Sequence, residues 1–223
     1  MSIEPHGYQR WRDVCFLHWE VDELALQQVL PKEQSVDTFQ GRAFIGIVPF
    51  RMEGVRLRML PPIPTANRFP ELNVRTYVRY KGQSGVWFFS LDAYSGLAVA
   101  GGRALFGLPY YYAKMSCRNE GEWVRYESER RPKGADFRGR YRGTGPAERN
   151  ALEIWLTERY KLFAEKRGRW FEADVEHEPW PLQVGEAEFE HSGLAPFALP
   201  DTEPLVHYAS GVDVVIGSPR VVG

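Results

Sequence analysis

Two cysteines in 223 residues, Cys15 and Cys117, are too few and too far apart for a disulfide framework or a C-x-x-C motif. Lysine is also scarce, at 6 of the 28 basic residues. The five histidines (His6, His18, His177, His191, His207) show no H-x-H or H-x-x-x-H spacing, so no metal site is expected. Net charge is −1, which gives no global argument for nucleic acid or an anionic membrane surface. No run approaches the roughly 20 apolar residues of a membrane span. The first residues, MSIEPHGYQRWRDV, contain no apolar signal core. Cysteines without a secretory signal read as reduced thiols, and the expected location is the cytosol. There is no G-x-S-x-G elbow and no strand–G-x-G-x-x-G–helix unit, which argues against a serine hydrolase and a dinucleotide site. No cofactor is expected.

What the chain does have is aromatics, at 14% of residues, and closely spaced alternating segments. Residues 11–19 read as a strand or a lead-in packed on the core. Asp22 caps a helix over 23–30. Residues 36–39 and 42–50 form a hairpin around Gln40-Gly41, the second arm apolar on both faces. Residues 53–59 read as a separate strand. Four prolines place 60–70 in a loop. In 71–80, Glu71, Asn73, Arg75, Tyr77 and Arg79 share one face, and Leu72, Val74, Thr76, Val78 and Tyr80 the other. After a turn at 81–85, residues 86–92 form a strand, and 93–105 a short helix broken at Gly101-Gly102.

Residues 122–131 and 136–142 flank a turn at 132–135. Pairing Arg131 with Asp136 puts Glu129 opposite Arg138 and Glu127 opposite Arg140, so the arginine comb reads as a paired, solvated face. Gly145-Pro146 opens a helix over 147–158, with proline in the first turn. A hairpin at 159–165 and 169–176, a rigid connector at 177–182, and strands at 183–190 and 205–216 complete the chain. This pattern gives one domain over residues 1–223, with a core at about 11–216. Its class is α+β, mainly antiparallel β, in a barrel or curled sheets with a few helices.

The segments FLHW (16–19), GRAFIGIVPF (41–50), FPELNVRTYV (69–78), GVWFFSLDA (85–93), GRALFGLPYYYA (102–113) and HEPWPL (177–182) together resemble an uncharacterised bacterial family labelled YqjF-like. That family is distantly related to acetoacetate decarboxylase. The thinner resemblance to the decarboxylase rests on G-R-x-x-x-G-x-P at residues 102–109 and, loosely, on Glu71. It implies a closed or cone-shaped β-barrel around a cavity, with helices outside. It also implies that the two residues after Pro109 occupy the positions of the decarboxylase's Schiff-base lysine and its pKa-lowering neighbour. Here these are Tyr110 and Tyr111, and a phenol forms no imine. Lys114 is the nearest amine; Lys161 and the other four sit in polar turn or hairpin contexts.

If the cavity persists, its polar lining is expected from Glu71, Asn73, Arg75, Arg103, Tyr110 and Tyr112. Glu71, Arg103 and Tyr110 are the candidate catalytic groups: Arg plus Tyr can clamp a carboxylate or enolate, and a desolvated Glu71 can act as a base. A buried ion-pair network accounts for the same charges without catalysis. Two functions stay open: a small-molecule-binding protein for a carboxylate or keto acid, and an enzyme on keto or enol acids using Arg/Tyr/Glu acid–base chemistry. Convergence of Glu71, Arg75, Arg103 and Tyr110 favours the enzyme; an apolar cavity with one clamp favours binding. The expected partner is a small molecule, not nucleic acid or membrane, and a homo-oligomer is left open.

Overall fold

Aromatic and β-branched residues in alternation build long strands, and the structure, a computed structural model, describes them over residues 4–62, 66–132 and 134–222. The elements are β1 (Pro5–Val21), α1 (Glu23–Gln28), β2 (Ser35–Val36), β3 (Ala43–Leu57), β4 (Arg68–Tyr80) and β5 (Gln83–Ala93). Next come α2 (Gly96–Gly101), a π-helical segment Gly102–Phe106, β6 (Tyr110–Glu120), β7 (Trp123–Arg130), β8 (Asp136–Pro146) and α3 (Ala151–Thr157). The chain ends with β9 (Lys161–Lys166), β10 (Arg169–His177), β11 (Leu182–Ser192), β12 (Leu205–Gly217) and β13 (Arg220–Val221).

The sheet closes on itself twice. One ring of nine strands runs β5-β6-β7-β8-β11-β12-β1-β3-β4 and back to β5. A smaller ring of seven runs β5-β9-β10-β12-β1-β3-β4. The pairings are antiparallel except β5–β6 and β5–β9. The nine-strand ring is filled: Cys15, Leu17, Ile45, Ile47, Leu72 and Val74 pack there against Met115, Tyr126, Phe137 and Tyr141. The opposite face of β1, β3 and β4 turns into the smaller ring. Strands covered on both faces lose the polar alternation of a half-exposed strand, which is why β3 reads as apolar throughout.

Local chemistry sets several boundaries differently from the sequence reading. Residues 53–57 continue β3, because Gly54 (φ +60°) bends one long strand instead of ending it. The expected loop at 60–70 falls partly on residues 63–65, outside the described residues, and β4 already begins at Arg68. Gly101-Gly102 does not break the helix there; α2 passes into the π-helical segment, closed by Gly107 at φ +67°. Pro146 ends β8 and starts no helix. A capping box at Asn150 and Glu153 starts α3 instead, satisfying its first free N–H groups. In the β7–β8 hairpin Glu129 faces Asp136 and Glu127 faces Arg138, two residues from the expected register. Arg130 is drawn away to the buried Asp92, at 2.8 Å. The arginine comb pairs instead with β11: Arg140 with Glu188 and Arg142 with Glu186.

Candidate functional site

The smaller ring encloses a cavity of about 410 Å³. Every one of its seven strands sends in a side chain, among them Phe16, Val48, Phe88, Leu162, Val175 and Ile216. The walls are mostly apolar. On β4 the alternation turns Glu71, Asn73 and Arg75 inward, while Leu72 and Val74 face the filled core. A polar line therefore runs along one wall, with Arg75 roughly 13 Å of strand from Glu71.

Glu71 is almost fully buried. Tyr110 donates its phenolic hydrogen to Glu71 Oε2 at 3.0 Å. Burial pushes the Glu71 carboxyl up to about 8; the Tyr110 hydrogen bond opposes this, and the charge of Asp92 adds to it. At neutral pH Glu71 is thus chiefly a neutral acid. The Tyr110 ring sits where it does because residue 102 is glycine: a β-carbon there would overlap the ring. Arg103 binds from outside, donating Nε to the Tyr110 carbonyl at 2.7 Å. The Gly-Gly-Arg sequence is therefore a seat for Tyr110.

Arg75 lies at the opposite, sealed end. It is 8% exposed and has no carboxylate partner among the described residues. One terminal nitrogen reaches the Leu156 carbonyl at 3.5 Å, and Nε has no hydrogen-bond partner there. Its guanidinium carbon lies 5.5 Å from the Phe16 ring centre. Asp37 is shared by Arg79 and Arg159. Beneath the floor, Tyr77 donates to the Leu156 carbonyl at 2.6 Å, so His18 Nε2–H donates to the Tyr77 oxygen at 2.7 Å. Burial, with Arg75 nearby, holds His18 well below the usual histidine range. Gly46 makes room for this group, since a β-carbon there would lie 3.0 Å from the His18 ring.

Of the expected lining residues, Glu71, Asn73, Arg75 and Tyr110 face the cavity. Arg103 and Tyr112 do not. Arg103 is exposed on the outer side of the π-helical segment, and Tyr112 is 43% exposed beside Tyr94. Only the first residue of β6, Tyr110, reaches the cavity, after which that strand belongs to the filled ring. Lys114 is exposed on β6 opposite Glu129. Lys161, expected to lie in a polar hairpin, lines the cavity, yet its amine is held by Glu172 at 3.2 Å and Asp174 at 2.9 Å. Arg159 and His177 also line the cavity and carried no local sequence signal. They arrive from the end of α3 and from β10. Burial lowers the affinity of His177 for a proton. Among the described residues no group of three or more His, Cys, Asp or Glu could hold a metal ion, and no helix is long and apolar enough to cross a membrane.

This fold is shared with solved acetoacetate-decarboxylase-like proteins. The acetoacetate decarboxylase of Legionella pneumophila superposes with a TM-score of 0.70 at 16% identity, over 100% of this chain and 90% of that one. The enduracididine biosynthesis enzyme MppR, in complex with pyruvate, superposes with a TM-score of 0.67 at 12% identity, over 100% and 92%. Within this fold the chain belongs to the DUF2071 family, an uncharacterized conserved protein family whose model matches residues 8–213. It is 44% identical over 214 residues to the uncharacterized protein YqjF of Bacillus subtilis, covering 93% of this chain and 88% of that protein. The YqjF-like resemblance is thereby borne out.

Proposed function

We propose that this protein binds a small organic carboxylate, keto acids included, with the anion at Arg75 and without Schiff-base chemistry. The observation that carries this reading is the buried guanidinium of Arg75, which lines the cavity with no carboxylate to neutralise it among the described residues. An unpaired buried charge is costly, and a ligand carboxylate supplies the missing partner in bidentate form. Glu71, the sole acidic residue lining the cavity among the described residues, is neutral near pH 7 and does not repel an anion. MppR holds pyruvate in the same fold, which supports the ligand class. Glu71 and Tyr110 meet, but Arg103 stays outside and Arg75 lies further along β4. This separation favours binding over a converged catalytic set.

The test is a thermal-shift screen of monocarboxylates and 2- and 3-keto acids, since a ligand of the native state raises Tm. Stabilisation by acids but not by their amides, lost in Arg75→Met, supports the reading. A ligand response that survives Arg75→Met overturns it. A second reading, an enzyme acting on keto or enol acids, is favoured by the Glu71–Tyr110 pair, whose carboxyl titrates near the range a general acid or base needs. It requires turnover of such an acid that Glu71→Gln and Tyr110→Phe both abolish. Under either reading, borohydride with a keto acid leaves no covalent adduct.

A further inference from the structure

The cavity is polar at one end and apolar towards the other. At the Arg75 end it is sealed by α3 and the segment after β10: Leu156, Thr157 and Trp180 are each no more than 3% exposed. Facing pairs on β3 and β4 then step away from that floor as Gly46–Arg75, Val48–Asn73, Phe50–Glu71 and Met52–Phe69. Phe69 lies roughly 20 Å of strand from Arg75. Beyond Asn73 the polar pair Glu71 and Tyr110 satisfies itself in the wall, and His6, Gln9 and Arg56 also contribute to the lining. The mouth is rimmed by leucines that a soluble surface ordinarily covers: Leu57, Leu60, Leu97 and Leu105 are 40%, 55%, 58% and 46% exposed. Such a patch at a cavity mouth marks a place where apolar matter passes or rests.

A short keto acid on Arg75 would leave this corridor unfilled. We propose that the ligand is an unbranched aliphatic monocarboxylate of medium chain length, its carboxylate on Arg75 and its chain lying between β3, β4 and α2 towards the leucine rim. The proposal rests on the carboxylate reading above and adds the tail to it. Lys161 is already held by two carboxylates, and Arg56, on the same stretch of β3 as the rim residue Leu57, lies over the Tyr8 ring at 4.1 Å. A cavity of 410 Å³ is of the size that encloses a ligand with such a chain.

The test is calorimetric titration of the purified protein with acetate, butyrate, hexanoate, octanoate and decanoate, and with 1-octanol. Kd should fall roughly fourfold per added methylene, until the chain reaches the rim. Octanol should bind more weakly than octanoate. Ala98→Phe, which narrows the corridor from α2, should shorten the chain length at which affinity levels off and leave butyrate unchanged. If octanoate binds no tighter than butyrate, the tail is refuted while the carboxylate site at Arg75 stands. If no acid binds, both fall. If octanol matches octanoate, the anion does not sit on Arg75. An unchanged chain-length profile in Ala98→Phe puts the chain elsewhere and overturns the assignment.

Discussion

The same three strands, β1, β3 and β4, present two interiors. On one face Leu17, Ile47, Leu72 and Val74 are fully buried in a filled core. On the other, Phe16, Val48 and Phe50 share the wall with Glu71, Asn73 and Arg75 around an open volume. Identical backbone and similar burial thus give opposite results. The difference lies in what the opposing strands bring. β6, β7 and β8 supply Met115, Tyr126, Phe137 and Tyr141 and close the space. β9 and β10 supply smaller or polar groups, such as Leu162, Val175 and His177, and leave it open. A filled core tolerates no unpaired charge, whereas a cavity can keep one for a ligand.

That contrast can be broken experimentally. Phe137→Ala in the filled ring should cost about 3–5 kcal/mol in urea unfolding, and Phe50→Ala on the cavity wall markedly less, because fewer contacts are lost beside existing space. Equal costs would mean that the cavity is closed in solution. Next in size is a pH effect. Glu71 has a folded-state pKa of about 8 against an ordinary 4.5, so the folded state keeps a proton that the unfolded chain has lost. Its contribution is fully present below about pH 4.5 and disappears as pH rises to about 8. Over that window the wild type should lose about 2–4 kcal/mol relative to Glu71→Gln; parallel stability curves for the two would refute it.

Arg75→Met should stabilise the ligand-free protein by about 1–3 kcal/mol while removing its response to carboxylates, since it deletes a buried charge that has no carboxylate partner among the described residues. A loss of stability would show that Arg75 has a structural partner. Gly102→Ala should cost about 1–2 kcal/mol by pushing the Tyr110 ring off its seat, with near-ultraviolet circular dichroism as the check on the ring. Smallest of all, Arg140→Ala on the exposed sheet face should leave both Tm and the ligand response where they are.

Strand alternation made much of this legible. Residues 71–80 split in sequence into the two faces that the fold uses, and the G-R-x-x-x-G-x-P pattern located the cavity wall at Tyr110. Arg103 and Tyr112 were misplaced because motif and parity fix neither which side of a helical turn faces in nor where a strand passes from one ring to the next. Arg159, Lys161 and His177 gave no local sign, since they reach the cavity only when the segment after α3, β9 and β10 fold across from distant parts of the chain. The hairpin register slipped because Arg130 answers to Asp92 on β5, not to its neighbours.

The sequence by itself determined the strands, their two-sided burial, the family and the absence of an imine-forming amine after Pro109. These depend on residue type and on period-two geometry, which are local. Tertiary structure alone decided that the sheet closes twice, that one ring is filled and the other open, and that Arg75 has no counter-charge among the described residues. Those outcomes depend on which distant side chains arrive opposite one another, and no local period encodes that.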